Sequence, residues 1–303
     1  WMFWAGVVPA LVLLVGMCFV PETPRWLLSK GRLKECRKVL QKIEPENTVN
    51  DLIGQMEVEI EKDRNSAVGW RYLMQPWLRT PLMIAVCIMF FQQFVGINTV
   101  IYYSPKIFLM AGFESTLSAI WASVGIGIVN VVFTVISLYL VDRIGRRKLY
   151  FIGLSGIAFS VLCLSACFIY ANQLGEIGRW LMVIFMFGYV AFFAISIGPL
   201  GWLVISEIFP QKVRGLGTSI GSLAVWIFNC IVSFTFFKII DFFSIPGTEI
   251  VVGQTTSENP AGAFFLYGFI AVLGLVWGYL FLPETKGLSL EEIEQKWRKN
   301  REC

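Results

Sequence analysis

The sequence predicts an all-α membrane protein with about seven transmembrane helices and short cytoplasmic helices beside them. Three observations carry the prediction. Apolar segments, each long enough to cross a bilayer, run at about 1–20, 81–110, 119–141, 149–170, 180–206, 215–240 and 262–282. The connecting segments alternate between rich in Lys and Arg and nearly free of them. One short phrase closes both the first and the last apolar segment, as Phe19-Val20-Pro21-Glu22-Thr23 and as Phe281-Leu282-Pro283-Glu284-Thr285.

Composition supports the class. Of 303 residues, 56% are hydrophobic and only 15% charged, too few charges to cover the surface of a soluble domain of this length. The net charge of +4 is too modest to point to nucleic acid. The chain holds no histidine, which excludes a histidine proton switch or metal site. Its seven cysteines show no metal-ligand spacing, and Cys87, Cys163 and Cys167 lie inside apolar runs, so they read as buried thiols rather than a disulfide framework. No cofactor is expected.

The first segment starts with Trp1-Met2-Phe3-Trp4 and has no basic residues ahead of it, unlike a signal peptide. Seven Lys or Arg follow between Arg25 and Lys42. Basic residues recur at Arg143, Arg146, Arg147 and Lys148, at Lys212 and Arg214, and in the tail, while 111–118 and 241–261 have none. This positive-inside pattern places 21–80, 142–148, 207–214 and 283–303 in the cytoplasm. Within 21–80, Thr23 is a candidate N-cap with Pro24 at the first helical position, and Gly31 ends that helix. Asp51 to Lys62 reads as another helix, with Leu52, Ile53, Met56 and Ile60 on one face. In the tail, Ser289-Leu290-Glu291-Glu292 forms a capping box before a last amphipathic helix.

A phrase recurring after six spans suggests two structural repeats closed by the same signal. The organisation expected is therefore the last helix of an amino-terminal half (1–20), a cytoplasmic helical linker (21–80), a complete six-helix carboxy-terminal half (81–282) and a cytoplasmic tail helix (283–303), with about five earlier spans absent from this chain.

Polar residues inside apolar runs mark the candidate site. Gln92, Gln93 and Asn98 are amides in the second span, where an unpaired amide costs on the order of 2–7 kcal/mol. They must face a wet cavity or bond neighbouring helices. Amides both donate and accept, as sugar hydroxyls do. Gly96, and later Ser104-Pro105, weaken this helix enough to permit a break. Asn130 is a lone amide in the third span, and Trp202 follows Gly198-Pro199, a second expected break. Trp226 and Asn229, three apart in the sixth span, are expected to share a face. An indole can stack on a pyranose while an amide reaches a hydroxyl. Trp180 and Trp277 read as interface anchors.

These motifs resemble the sugar porters of the major facilitator superfamily, particularly bacterial pentose and hexose proton symporters and eukaryotic facilitative relatives. The resemblance rests on Pro21-Glu22-Thr23-Pro24-Arg25-Trp26-Leu27, Gln92-Gln93 with Gly96-Ile97-Asn98, Tyr102-Tyr103-Ser104, Asp142-Arg143-Ile144-Gly145-Arg146-Arg147, Gly198-Pro199 before Trp202, Ser206-Glu207-Ile208-Phe209-Pro210 with Arg214-Gly215, and Pro283-Glu284-Thr285-Lys286-Gly287. The resemblance implies the major facilitator fold and a multi-pass protein of the cell membrane with a cytoplasmic carboxy terminus. It implies a monosaccharide site at Gln92, Gln93, Asn98, Asn130, Trp202, Trp226 and Asn229, and an outer gate at Tyr102 and Tyr103. It also implies a cytoplasmic salt-bridge network of Glu22 with Arg25, Asp142 with Arg146 and Arg147, and Glu207 with Arg214, which latches the outward-facing state. The partners implied are a monosaccharide, the lipid bilayer, the amino-terminal half and, for a symporter, protons. The proton-carrying acid of such symporters lies on a span this chain lacks. A facilitative uniporter and a non-transporting sugar sensor of the same fold are the alternatives. A membrane enzyme is disfavoured, because no catalytic dyad or metal cluster stands in any span.

Overall fold

The computed structural model describes residues 6–64, 70–113, 115–243, 250–252, 255–257, 259–287 and 297. It divides into two compact units, Trp1–Val68 and Gly69–Cys303.

The first unit contains α1 (Val7–Phe19), α2 (Pro24–Ser29), α3 (Leu33–Leu40) and α4 (Glu46–Arg64). α1 is apolar throughout and buries no side chain. α2 starts as its sequence requires: Thr23 accepts a hydrogen bond from the Trp26 backbone N–H at 3.4 Å, and Pro24 opens the helix. It closes through paired bonds from Arg32 N to Leu27 O and from Gly31 N to Leu28 O, the Schellman arrangement. α4 begins five residues before the expected Asp51, where Thr48 Oγ1 donates to Pro45 O at 2.8 Å. Its inner face carries Val49 and Ile53, which pack with Leu27, Leu28, Cys36 and Leu40, flanked by Met56 and Ile60. At the start of α3, Arg32 and Glu35 form an exposed two-pronged ion pair at 2.7–2.8 Å. The hydrogen bond and charge of Glu35 push the Arg32 guanidinium up, and the bond from Arg32 holds the Glu35 carboxyl below the usual carboxylate range. Burial pushes the Cys36 thiol up, helped by the nearby Glu57 carboxylate.

The second unit contains α5 (Trp70–Leu73), a 3-10 turn, α6 (Arg79–Phe94), α7 (Ile97–Met110), α8 (Thr116–Ile144), α9 (Arg146–Ile169), α10 (Ala171–Ile195), α11 (Ile197–Ile208), α12 (Gln211–Phe242) and α13 (Ala261–Phe281). Two three-residue strands, β1 (Ile250–Val252) and β2 (Thr255–Ser257), pair antiparallel before α13. The architecture is otherwise helical. Among the described residues six segments are long and apolar enough to cross a membrane: Pro76–Met110, Thr116–Ile144, Arg146–Ile169, Ala171–Ile208, Val213–Phe242 and Ala261–Phe281. α9 sits at the centre, packed on α10 and α13, while α6 lies against α12 and α8 against α7 and α10. Contact between α9 and the α10–α11 junction is close, because a Cβ on Gly153 would fall 1.7 Å from Ser196 Oγ.

Two spans are longer than a single crossing because each is interrupted. The first breaks at Gly96, whose φ of +87° is reached cheaply only by glycine. Its bare Cα also admits the Tyr267 ring, which would sit 2.3 Å from an added Cβ. The second breaks at Ser196, with φ −126° and ψ −105°. The expected break at Gly198-Pro199 is thus displaced by two residues. Pro199 is tolerated in the first turn of α11, where backbone N–H groups have no intrahelical acceptor. The proposed tail helix and its Ser289 capping box lie outside the described residues.

Candidate functional site

The two interruptions come together around an open cavity of about 280 Å³, lined by Gln92, Gln93, Ile97, Asn98, Asn130, Thr134, Phe193, Ala194, Gly198, Pro199, Trp202 and Val225. Six helices contribute: α6 and α7 bring the clustered amides, α8 brings Asn130 and Thr134, α10 and α11 bring Phe193 and Trp202 from either side of their junction, and α12 brings Val225. The volume is near the low end of the about 300–1,000 Å³ common for small-molecule sites. A depression of about 410 Å³ in the first unit, among Thr23, Arg25, Trp26, Ser29 and Ile60, offers no amides.

The amides form a relay whose direction is dictated by backbone chemistry. Gln92 Nε2 donates to Ile197 O at 3.1 Å and to Gly198 O at 2.7 Å. A carbonyl only accepts, so the NH₂ end of Gln92 must face the break, and Oε1 must face away. Gln93 Nε2 then donates to Gln92 Oε1 at 3.1 Å, and Asn98 Nδ2 donates to Gln93 Oε1 at 2.6 Å. Both hydrogens of Gln92 are committed, leaving it one lone pair. Gln93 retains one hydrogen, and Asn98 retains one hydrogen and its whole Oδ1. The Asn130 side chain makes no hydrogen bond to any described residue, while Thr134 Oγ1 turns back to Asn130 O at 2.7 Å. The wall therefore presents unspent donors and acceptors at Gln93, Asn98 and Asn130, next to the half-exposed Trp202. It is neutral, suited to a polyhydroxylated ligand without charge.

Other expected site residues separate. Trp226 does not line this cavity and is 66% exposed, whereas Asn229 is 8% exposed. The shared face is corrected: three residues along a helix still differ by about 60° in direction, enough at a bundle edge to bury one and expose the other. Asn229 Nδ2 instead donates to Tyr102 Oη at 3.4 Å, and its Oδ1 accepts from Ser233 Oγ at 3.0 Å. Tyr102 is exposed. Tyr103 is packed inward, stacked on Phe236 with centroids 5.5 Å apart, so the adjacent tyrosines do not act as one surface. Trp180 is exposed, and Trp277 packs on Phe91 at 5.4 Å.

A second constellation joins the basic ends of the spans. Arg146 bridges Asp142 at 3.3 Å and Glu207 at 2.9 Å. The other oxygen of Glu207 accepts from Thr285 Oγ1 at 2.5 Å. Glu207 is thus paired with Arg146 and Thr285 rather than with the expected Arg214, which makes contacts of its own, half-buried, near the start of α12. Arg147 does not join Asp142 either: its guanidinium donates to Tyr279 O at 2.8 Å and lies over the Phe151 and Tyr279 rings. Glu22 and Arg25 belong to the first unit, where Glu22 is exposed and contributes to the raised Arg32 guanidinium. Sequence reasoning noted Glu284 only as part of the repeated phrase. Its carboxylate accepts from the backbone N–H of Arg146 at 3.0 Å and of Arg147 at 3.1 Å, capping α9 from the far end of the chain. The recurrence of that phrase was the available signal.

A family model described as "Sugar (and other) transporter" matches residues 1–297. The chain is 36% identical over 298 residues to the glucose transporter GlcP of Staphylococcus epidermidis, covering 98% of this chain and 62% of that protein. It is 34% identical over 297 residues to the D-xylose-proton symporter of Escherichia coli, covering 98% of this chain and 57% of that one. Among solved structures, the proton:xylose symporter XylE bound to 6-bromo-6-deoxy-D-glucose superposes with a TM-score of 0.77 at 33% identity, over 98% of this chain and 58% of that one. The chain thus spans about three fifths of the length of these relatives.

Proposed function

The chain belongs to the sugar (and other) transporter family, and from that premise we propose that it supplies the substrate-binding half of a transporter that moves a monosaccharide by alternating access. Family membership and the six long apolar helices make it a multi-pass membrane protein. The observation that carries the functional reading is the neutral wall of Gln93, Asn98 and Asn130 with unspent hydrogen-bonding capacity at the meeting of two interrupted spans. In this reading those amides hold sugar hydroxyls and Trp202 covers an apolar ring face. Gln92 orients the relay and offers its last lone pair. Trp226 and Asn229 join the site from α12 when the transporter closes, and the outer gate uses the two tyrosines differently, Tyr102 as its exposed face and Tyr103, stacked on Phe236, as its packed anchor. The other half of the transporter supplies the facing wall, since substrate sites in such folds lie between repeats.

The basic span ends face the cytoplasm, as does the carboxy terminus, and Asp142, Arg146, Arg147, Glu207 and Arg214 act there as the latch of the outward-facing state. The chain has no enzymatic role. Proton coupling is the preferred mode, because relatives carry the names D-xylose-proton symporter and arabinose-proton symporter. Acidic residues of the described spans lie only near span ends, so the proton-carrying group belongs to the other half. Reconstituting the transporter that contains this chain in liposomes tests the reading. Saturable uptake of an aldopentose or aldohexose, driven by an inward proton gradient, is expected. Uptake indifferent to the gradient makes it a uniporter, binding without uptake makes it a sensor, and neither binding nor uptake of any such sugar sinks the proposal.

A further inference from the structure

Each interrupted span is held at its break by a side chain from the other. Gln92, four residues before the break at Gly96, gives both amide hydrogens to Ile197 O and Gly198 O just past the break at Ser196. Tyr189, seven residues before the break at Ser196, donates its hydroxyl to Val95 O at the first break, at 2.9 Å. Both donors are buried, Gln92 at 3% exposure and Tyr189 at 0%. Val95 O closes α6, and a carbonyl freed by a helix break inside a membrane protein must find a donor within the protein, here the Tyr189 hydroxyl. Ile197 O and Gly198 O stand in the first turn of α11 and take the two Gln92 hydrogens beside the helix's own bonds. A third hydroxyl, Ser137 Oγ on α8, donates to Ile195 O at 2.9 Å and pins the second break to a neighbour.

We infer that Gln92 and Tyr189 form a reciprocal brace that makes the two breaks bend as one, with Tyr189 a positioning residue for the cavity between them. Changing the angle at Gly96 displaces Val95 O from the Tyr189 hydroxyl and Gln92 from the α11 carbonyls together. Neither break can relax without unsatisfying a buried group of the other. The inference deepens the transport reading and rests on it for its consequence, which is that α7 and α11 move together as the cavity opens and closes. The geometry itself requires no substrate.

The test is amide hydrogen exchange on the intact protein in detergent, without sugar. Tyr189→Phe removes one oxygen and keeps the ring. Exchange of amides 93–98 and of amides 196–198 and 200 is expected to quicken together by roughly three- to tenfold, the weight of one hydrogen bond, with α9 and α13 unchanged. Tyr150→Phe is the control. Its buried hydroxyl donates to Gly274 O on α13 at 3.0 Å, away from both breaks, so both should exchange as in wild type. Quickening at 93–98 alone, or at neither break, overturns the brace. Should Tyr189→Phe fold poorly, Ser137→Ala frees the second break without touching the first, and faster exchange reaching 93–98 is then required. Failure of the wild-type protein to take up sugar bears on the transport reading and leaves the exchange result to decide the brace.

Discussion

Replacing Gln93 by alanine removes the middle of the amide relay, and the structure sets the size of the effect. Gln93 is 5% exposed, donates to Gln92 Oε1 at 3.1 Å and accepts from Asn98 Nδ2 at 2.6 Å. Losing it orphans one acceptor site on buried Gln92, at a cost of about 1–3 kcal/mol. Asn98 stands at the wet wall and can rehydrate, so its lost bond costs only about 0.5–1.5 kcal/mol. Sugar binding loses any direct bond to Gln93 and must also reorient a freed Asn98. Together these weaken affinity by roughly one to two orders of magnitude. Gln93→Glu tests the direction of the relay: an ionised carboxylate still accepts from Asn98 but places an acceptor against Gln92 Oε1, and binding should fall at least as far. Trp202 lines the cavity, so quenching of tryptophan fluorescence in detergent reads the affinity, with thermal unfolding as the check on folding. Gln173→Ala, exposed at the start of α10, should behave as wild type. A well-folded Gln93→Ala that binds every candidate pentose and hexose normally would refute the reasoning and leave the amides as interhelical glue.

Glu207→Gln, or Arg146→Ala, should slow transport while sparing sugar binding, because the ratio of the two cytoplasmic states shifts by about 1–3 kcal/mol. Flux assays and accessibility of a cytoplasmic thiol label must both change, and unaltered values in both leave only topology. Glu284→Gln weakens the cap on α9 and its charge at the helix N-terminus, lowering stability by about 1 kcal/mol, which thermal melting in detergent would register as a drop of a few degrees. Gly96→Ala forces a side chain into positive φ and against the Tyr267 ring, so a loss of about 2 kcal/mol or more, together with lost sugar affinity, should appear in melting and quenching. Cys36 is buried and its thiol is pushed up, leaving less thiolate at neutral pH, so maleimide should modify it at least about tenfold more slowly in the native protein than after denaturation.

Six of the seven expected spans were legible because length and apolarity suffice for a membrane helix, while the first, expected over 1–20, is described only as the 13-residue α1. The break at Gly96 was legible because a glycine beside three amides is poor helix and worse lipid-facing surface. The second break was misplaced because Gly198 and Pro199 read as breakers, yet at the start of a new helix they cost nothing, while Ser196 carries no special local signal. Tyr189 could not be seen at all. It stands in Gly188-Tyr189-Val190-Ala191-Phe192-Phe193, which reads as apolar core, and its role exists only through a carbonyl on another span. Asp142 pairs with Arg146 as expected, but Glu207 was given the wrong partner, since it has Arg214 seven residues away in sequence and Arg146 one ion-pair distance away in space. α3 was not singled out, although Leu33, Cys36 and Leu40 recur at helical spacing between charged residues.

The cap that Glu284 places on α9 also has a meaning for biosynthesis. Arg146 and its capping carboxylate are 138 residues apart. At a ribosomal pace of about 5–20 residues per second, roughly 7–28 s separate the emergence of that helix start from the arrival of its partner. Until then the first turn of α9 must find donors' partners in water or headgroups, and Glu207 awaits Thr285. The closing Pro-Glu-Thr phrase thus completes the basic edge of the bundle last: until Glu284 and Thr285 are made, the start of α9 and one oxygen of Glu207 lack the partners they hold in the finished fold.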